Sequence, residues 1–377
     1  MKKARVLITA LILALSIVLT GCGGEKTPDK QPGGEGTKTP EDKPLKVVLL
    51  VNGNLGDKSF FDSANEGMNM IKNELGAEVK TIELGYDDTK WEPALIDASE
   101  GDWDVIIVGT WQMTEKLEKI APDYPDKKYF IFDTTVDYSK GNLNNVYSIE
   151  YKQNEGSFLA GALAAKITTS DMPLANPDKK IGFLGGMDNP VINDFLVGYI
   201  QGAKYIDKDM KVAISYIGNF NDSAKGKEMA LAQYNAGVDI GFNVAGQAGL
   251  GQLDAAKEKK RYAIGVDSDQ ALLVKDKDPD KANLITTSVL KRVDVSLLRG
   301  AKMFKEGNAP FGKSEQLGLK EECIGLANNE YYEKIVPEAM RKEIDELSKK
   351  IMDGEIKVDT AMGMDVKKLN EIKDAVK

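Results

Sequence analysis

Residues 45–68 read LKVVLLVNGNLGDKSFFDSANEGM. The first seven form one short, continuously apolar run, and the segment from Asp57 onward opens a helical pattern. A strand that is apolar at nearly every position, not at every second one, is covered on both faces, the condition of a parallel sheet flanked by helices. Further strand runs follow at EVKTIEL (78–84), DVIIVG (104–109) and KYFIFD (128–133). KIGFLGG (180–186), KVAISYI (211–217), IGFNV (240–244) and YAIGVD (262–267) repeat the theme later. Helical stretches such as NEGSFLAGALAAKIT (154–168) and ALAQYNAGVD (230–239) lie between them. This alternation predicts an α/β protein of doubly wound, mostly parallel sheets.

So many strands exceed one ordinary core, and two lobes joined by a hinge are the natural solution. A boundary near Tyr151 fits, because VYSIEY is followed by a long helix and a fresh series of strands. Chain returns are expected near Asp267 and Lys291, with LITTSVLK (284–291) rejoining the first lobe. The expected division is 45–150 plus about 268–295 for lobe 1, 151–267 plus about 296–358 for lobe 2, and a C-terminal tail at 359–377.

The folded part is preceded by an address. Lys2, Lys3 and Arg5 stand ahead of VLITALILALSIVLT, an apolar run too short for the roughly 20 residues that span a bilayer, so residues 1–21 are expected to be a signal peptide. Leu19-Thr20-Gly21-Cys22 looks like a bacterial lipobox, with Cys22 as the lipidated residue. Residues 23–44 contain no large apolar side chain and read as a flexible tether. The domain is thus expected outside the cytoplasm, held at the cell membrane by lipid.

Composition narrows the function. Hydrophobic content of 42% and charged content of 29% suit a folded globular protein. The net charge is −9 with no basic stripe, which argues against nucleic-acid binding. With no histidine, a Ser-His-Asp triad and any imidazole-bound zinc are impossible, so enzymatic chemistry is not expected. Cys22 and Cys323 form no disulfide framework, and Cys323 reads as a small buried apolar residue. No cofactor and no metal are expected.

In open α/β sheets the ligand lies outside the carboxyl ends of the strands. That rule selects GDKSFF, Thr110 and Trp111, Asp133, MDNPVINDF (187–195), AGQAGLG (245–251), Asp267 and Lys291. Aromatic rings, carboxylates, one amine and glycine amides suit a neutral, flat, hydroxyl-bearing molecule better than a phosphate. AGQAGLG resembles a dinucleotide fingerprint in outline, but its order is GxxGxG and it lies mid-chain.

Five segments carry a family resemblance in order: GDKSFFDSANEGM (56–68), YKQNEGSFLAGALAA (151–165), IGFLGGMDNPVINDFLVGYIQGA (181–203), AGQAGLGQLDAAKE (245–258) and GVDSDQ (265–270). Together they resemble the basic membrane protein family of bacterial substrate-binding lipoproteins, over roughly residues 45–358. The resemblance implies a two-lobed type I periplasmic-binding-protein fold that serves an ABC transporter, with a permease and ATPase complex as partner and a monomeric receptor. It implies a purine nucleoside as ligand, with Phe60 and Phe195 stacking on opposite faces of the base. Asp133 then accepts from the base edge, Asp267 and Lys291 bind ribose hydroxyls, and the Gly246 backbone touches the sugar. Trp111 receives no role from the resemblance; it can line the cleft or shield the hinge. The family motif reads DKSFN, and here Phe61 replaces the Asn that contributes to base recognition.

Structural readings stand beside these. Phe60 and Phe61 could pack beneath the helix they open, Phe195 could be core, and Asp133 and Asp267 could be turn or capping residues. Phe61 could equally be a second stacking surface, a plug or a packing residue, which leaves a flavin or a pyrimidine open as ligand. An extracellular nucleoside-acting enzyme and a surface sensor without transport are the alternatives of another class.

Overall fold

A computed structural model describes residues 43–377. The signal peptide, Cys22 and nearly all of the tether lie outside the described residues.

Two six-stranded sheets form the frame. The first is built from β1 (Lys46–Val51), β2 (Glu78–Glu83), β3 (Val105–Gly109), β4 (Lys128–Phe132) and β5 (Val146–Tyr151). The second takes β6 (Lys180–Gly185), β7 (Lys211–Tyr216), β8 (Ile240–Val244), β9 (Tyr262–Asp267) and β10 (Ile285–Lys291). β11 (Lys313–Leu317) returns to the first sheet and the three-residue β12 (Ile324–Leu326) to the second. The orders are β11-β5-β4-β3-β1-β2 and β12-β10-β9-β8-β6-β7. Every pairing is parallel except β10 with β12.

The continuously apolar runs occupy the middle of the sheets, where β3, β8 and β9 are buried at every residue. The edge strand β2 alternates exposed Glu78, Lys80 and Glu83 with half-buried residues, a charged edge that discourages pairing with another chain. The helices Gln153–Thr168 and Pro190–Ile206 lie together in a contact so close that the glycines at 161, 198 and 202 meet backbone of the opposite helix.

One expected segment is corrected. The strand at 284–291 does not rejoin the first sheet; β10 lies between β9 and β12 in the second. It follows β9 through two short helices, Gln270–Val274 and Pro279–Ala282, and consecutive strands so connected tend to be neighbours. The return to the first sheet comes afterwards, in the region expected to belong to lobe 2. Helix Val293–Lys305 packs on helix Phe60–Leu75, where Gly67 lies against the Asp294 backbone and Lys302 reaches Glu74 at 2.6 Å. β11 then pairs with β5. A buried, β-branched run such as ITTSVL fits the middle of either sheet, so its pattern carries no information on which one it joins.

The chain passes between the sheets after Tyr151, after Lys291 and after Leu317. Backbone hydrogen bonds tie these passages together: Lys152 N donates to Leu317 O at 2.9 Å, and Arg292 N to Cys323 O at 2.8 Å. Cys323 is fully buried there, and burial pushes its thiol up to about 11.

Candidate ligand-binding cleft

The carboxyl ends of β1, β3 and β4 in one sheet and of β6, β8, β9 and β10 in the other border a cleft of about 270 Å³. All eight ligand-binding candidates from the sequence line it: Phe60, Phe61, Trp111, Asp133, Phe195, Gly246, Asp267 and Lys291.

Phe60 and Phe61 are the first two residues of helix Phe60–Leu75, which begins just beyond β1. The polar residues around them serve the helix start. Asp57 accepts from the backbone N–H groups of Ser59, Phe61 and Asp62, while Asp62 accepts from those of Gly56 and Lys58. These reciprocal bonds satisfy amides that a helix terminus leaves without partners. Asp57 is buried, and desolvation lifts it to about 6 despite the amides it accepts from. Both rings remain half-buried. They meet edge to face at 5.2 Å, with Phe61 lying over Gly53 and Phe60 at 5.3 Å from Phe132.

Asp133 and Asp267 close β4 and β9 with φ of 65° and 63°, a left-handed turn that Asp tolerates better than most residues. Lys291, the last residue of β10, is 3% exposed and donates to Asp133 Oδ1 at 2.7 Å. Its ammonium lies 4.8 Å from the centroid of Phe60, 5.1 Å from Phe195 and 5.7 Å from Tyr151. Such distances are within cation–π reach. The bonded partner of Lys291 is thus Asp133, while Asp267 accepts from the Ser59 hydroxyl of the other lobe. Burial pushes both aspartates up from the ordinary carboxylate value, and the Lys291 ammonium pulls both partly back.

Phe195 sits in helix Pro190–Ile206, only 1% exposed, and its inner side meets Phe242 at 6.3 Å. It is therefore core and cleft wall at once. Gly246 opens helix Gly246–Lys259 with φ of 54°. No atom closes on the space its Cβ would take, so the backbone angle is what asks for glycine there. Gly249 and Gly251 have another cause: a side chain at the first would run into Asn243, and one at the second into the first turn of helix Ser223–Asn235. The glycines of AGQAGLG thus serve a turn and helix packing.

Trp111 stands at the rim, 47% exposed. It follows Thr110, held at φ 69° and ψ 153°, a region nearly confined to glycine that costs a β-branched residue of order 1–3 kcal/mol. Asn52 Nδ2 donates to Thr110 Oγ1 at 2.8 Å and helps to hold it.

Several cleft residues were not singled out from the sequence. Asn52 directly follows β1, so the strand-end rule that found Asp133 points to it as well. Tyr86 and Phe220 follow the edge strands β2 and β7 through short loops, and their reach into the cleft has no signal in the local pattern. Ser59 belongs to the motif that carries the resemblance, yet only the folded chain shows it against Asp267. A direct contact between lobes gathers there. Ser268 Oγ donates to Ser59 O at 3.1 Å, Gln270 Nε2 to Lys58 O at 3.2 Å, and Lys58 Nζ to Leu273 O at 2.9 Å.

Among the described residues no group of His, Cys, Asp and Glu is arranged to hold a metal, and no helix is long and apolar enough to cross a membrane.

The model of a family described as PnrA-like ABC transporter substrate-binding proteins (Bmp) matches residues 45–361. Basic membrane protein A of Borreliella burgdorferi is 33% identical over 353 residues, covering 93% of this chain and 94% of its own. The ABC transporter nucleoside-binding protein BmpA of Lactococcus lactis subsp. cremoris is 30% identical over 374 residues, covering 95% and 99%. Among solved structures, an ABC transporter solute-binding protein of Aeropyrum pernix K1 superposes with a TM-score of 0.77 at 29% identity, covering 88% of this chain and 98% of that one.

Proposed function

The chain belongs to the PnrA-like family of ABC transporter substrate-binding proteins, and we propose that its cleft captures an unphosphorylated nucleoside, most simply a purine, for delivery to an importer. The Lactococcus relative and the structural neighbour named above are described as binding proteins of ABC transporters. The observation that carries the ligand class is the convergence of Phe60, Phe195, Asp133, Asp267 and Lys291 on one cleft. The Lactococcus relative, described as nucleoside-binding, supports the same class.

Capture proceeds by hinge closure of the lobes about the three chain passages. The base lies against Phe60 and Phe195, each aromatic pair adding about 0.5–1.5 kcal/mol beyond the area it buries. Asp133 and Asp267 accept hydrogen bonds from the base edge and the sugar hydroxyls, and Lys291 donates. Asp133 and the buried Asp267 face the single Lys291 ammonium, which leaves the walls short of positive charge and disfavours a phosphate. No bond is made or broken. Cys22 carries the lipid that holds the protein at the outer face of the cell membrane, and a permease and ATPase complex receives the ligand.

Thermal unfolding with adenosine, inosine, guanosine and uridine tests the ligand class. A ligand at 100 times its Kd adds about 2.7 kcal/mol of stability, and no response to any nucleoside overturns the reading. The ring of Phe61 on the cleft wall favours one second reading, a larger flat ligand such as riboflavin. Riboflavin displacing inosine and guanosine in competition supports that alternative.

A further inference from the structure

The last sixteen residues lie beyond the family-matched stretch, yet they are docked on the second sheet. Val376 is fully buried, and its carbonyl accepts from Val212 N at 2.9 Å on the outer edge of β7. Lys204 Nζ donates to Ala375 O at 2.8 Å. Helix Val366–Asp374 brings Lys373 in with its side chain 13% exposed.

Lys373 Nζ lies 3.0 Å from Asp188 Oδ1, 3.2 Å from Asp188 Oδ2 and 4.9 Å from the centroid of the Tyr216 ring. Asn193 Nδ2 donates to Asp188 Oδ1 at 2.7 Å, and Tyr216 Oη donates to Asn193 Oδ1 at 2.6 Å. Four side chains thus close a ring that joins the tail, the edge strand β7 and the loop after β6. Asp188 is 58% exposed and would otherwise belong to an ordinary surface loop. Against partial burial, the Asn193 amide and the Lys373 ammonium hold its carboxyl below the usual value.

That loop forms part of the cleft. Met187 and Asn189, on either side of Asp188, line it. Asn189 also caps helix Pro190–Ile206 by accepting from Ile192 N at 3.0 Å, and this helix carries Phe195. Anchoring Asp188 therefore anchors the cap, the start of the helix and the second lobe's wall. A ligand contact placed on a loop needs such support to keep its geometry.

We propose that Lys373 is a positioning residue for the ligand-facing wall of the second lobe, and that the C-terminal tail clamps residues 187–189 through the Asp188 carboxylate. The clamp itself is independent of ligand identity; its effect on affinity rests on the nucleoside reading. An edge cover alone would protect β7 and leave the 187–189 loop indifferent to Lys373.

The test uses the full chain carrying Lys373→Met, which keeps the stem and removes the charge, with Lys373→Arg as the conservative variant. Asp188→Asn breaks the same ion pair from its exposed end and replaces Lys373→Met if that variant does not fold. Amide exchange is followed over 186–193 and 211–217, and inosine and guanosine affinities are measured by calorimetry. The expected result is exchange about tenfold faster over 186–193 and little changed over 211–217, with a Kd raised about tenfold, the worth of one hydrogen bond to a charged group. Lys373→Arg restores both. Unchanged exchange over 186–193 overturns the clamp, and faster exchange with unchanged affinity overturns its role in binding. If the unaltered protein binds neither nucleoside, the ligand reading falls, and the exchange measurement alone decides the clamp.

Discussion

Lys291 and Asp133, 158 positions apart, form a largely buried ion pair at 2.7 Å between the end of β10 in one sheet and the end of β4 in the other. Each sits at a cleft wall, so the pair spans the gap that a ligand enters. Removing one partner of a buried pair leaves the other charge without compensation, at a cost of roughly 3–5 kcal/mol. Lys291→Met is expected to lower the thermal midpoint and to abolish the nucleoside response. Adding Asp133→Asn should return most of the stability without the binding. A single variant as stable as the parent in calorimetry would show that the pair is not buried as described.

Acid should stabilise the ligand-free protein before it unfolds it. Asp57 and Asp194 are both lifted to about 6, in each case chiefly by burial. Their folded values exceed the unfolded value of 3.8, so the folded protein takes up protons as pH falls through 6 while the unfolded chain does not. Stability therefore rises from pH 7 to pH 5, and no histidine opposes it in that window. Thermal midpoints at pH 7.5 and 5.5 read the effect directly. Asp194→Asn should flatten the difference, and a midpoint that falls steadily with acid in the parent counts against the assignment.

Ser59→Ala removes the hydroxyl that donates from the first lobe to Asp267 of the second. A hydrogen bond to a charged group is worth about 1.5–3 kcal/mol, so nucleoside dissociation should quicken by about tenfold or more. Ser59→Thr keeps the donor and should stay near the parent. Stopped-flow dissociation rates distinguish the two, and equal rates in all three proteins would remove Ser59 from closure.

Phe61→Asn replaces a ring packed over Gly53 with an amide that offers two donors and one acceptor. If Phe61 sets specificity, the substitution sharpens discrimination among inosine, guanosine and uridine. Titration of each nucleoside against parent and variant measures this. A loss of stability with unchanged ratios identifies Phe61 as packing.

Much of the frame was legible because Val- and Ile-rich runs such as DVIIVG and YAIGVD declare buried strands wherever they fall. Sheet membership was not, since ITTSVL would be equally content in either sheet. β11, KSEQL, is a polar edge strand and β12 spans three residues, so neither has a pattern to read. The strand-end rule gathered the cleft candidates, but it is silent on partners. That Lys291 meets Asp133 while Ser59 meets Asp267 depends on how two sheets face each other, which no local pattern encodes. The tail also looked like an appendage, for its anchors, Lys373 to Asp188 and Val376 to Val212, join positions more than 160 residues apart.

The three passages of the chain between the sheets make the cleft indivisible as a unit of inheritance. Residues 43–151 do not amount to a lobe, because β11 and the helix Val293–Lys305 complete the first sheet's layer from the far end of the gene product. A crossover anywhere between Tyr151 and Leu317 would join halves whose hinge and core had been shaped by different partners. Diversity of ligand must then arise by single replacements within an intact frame, and a ring at position 61 is a change of that kind.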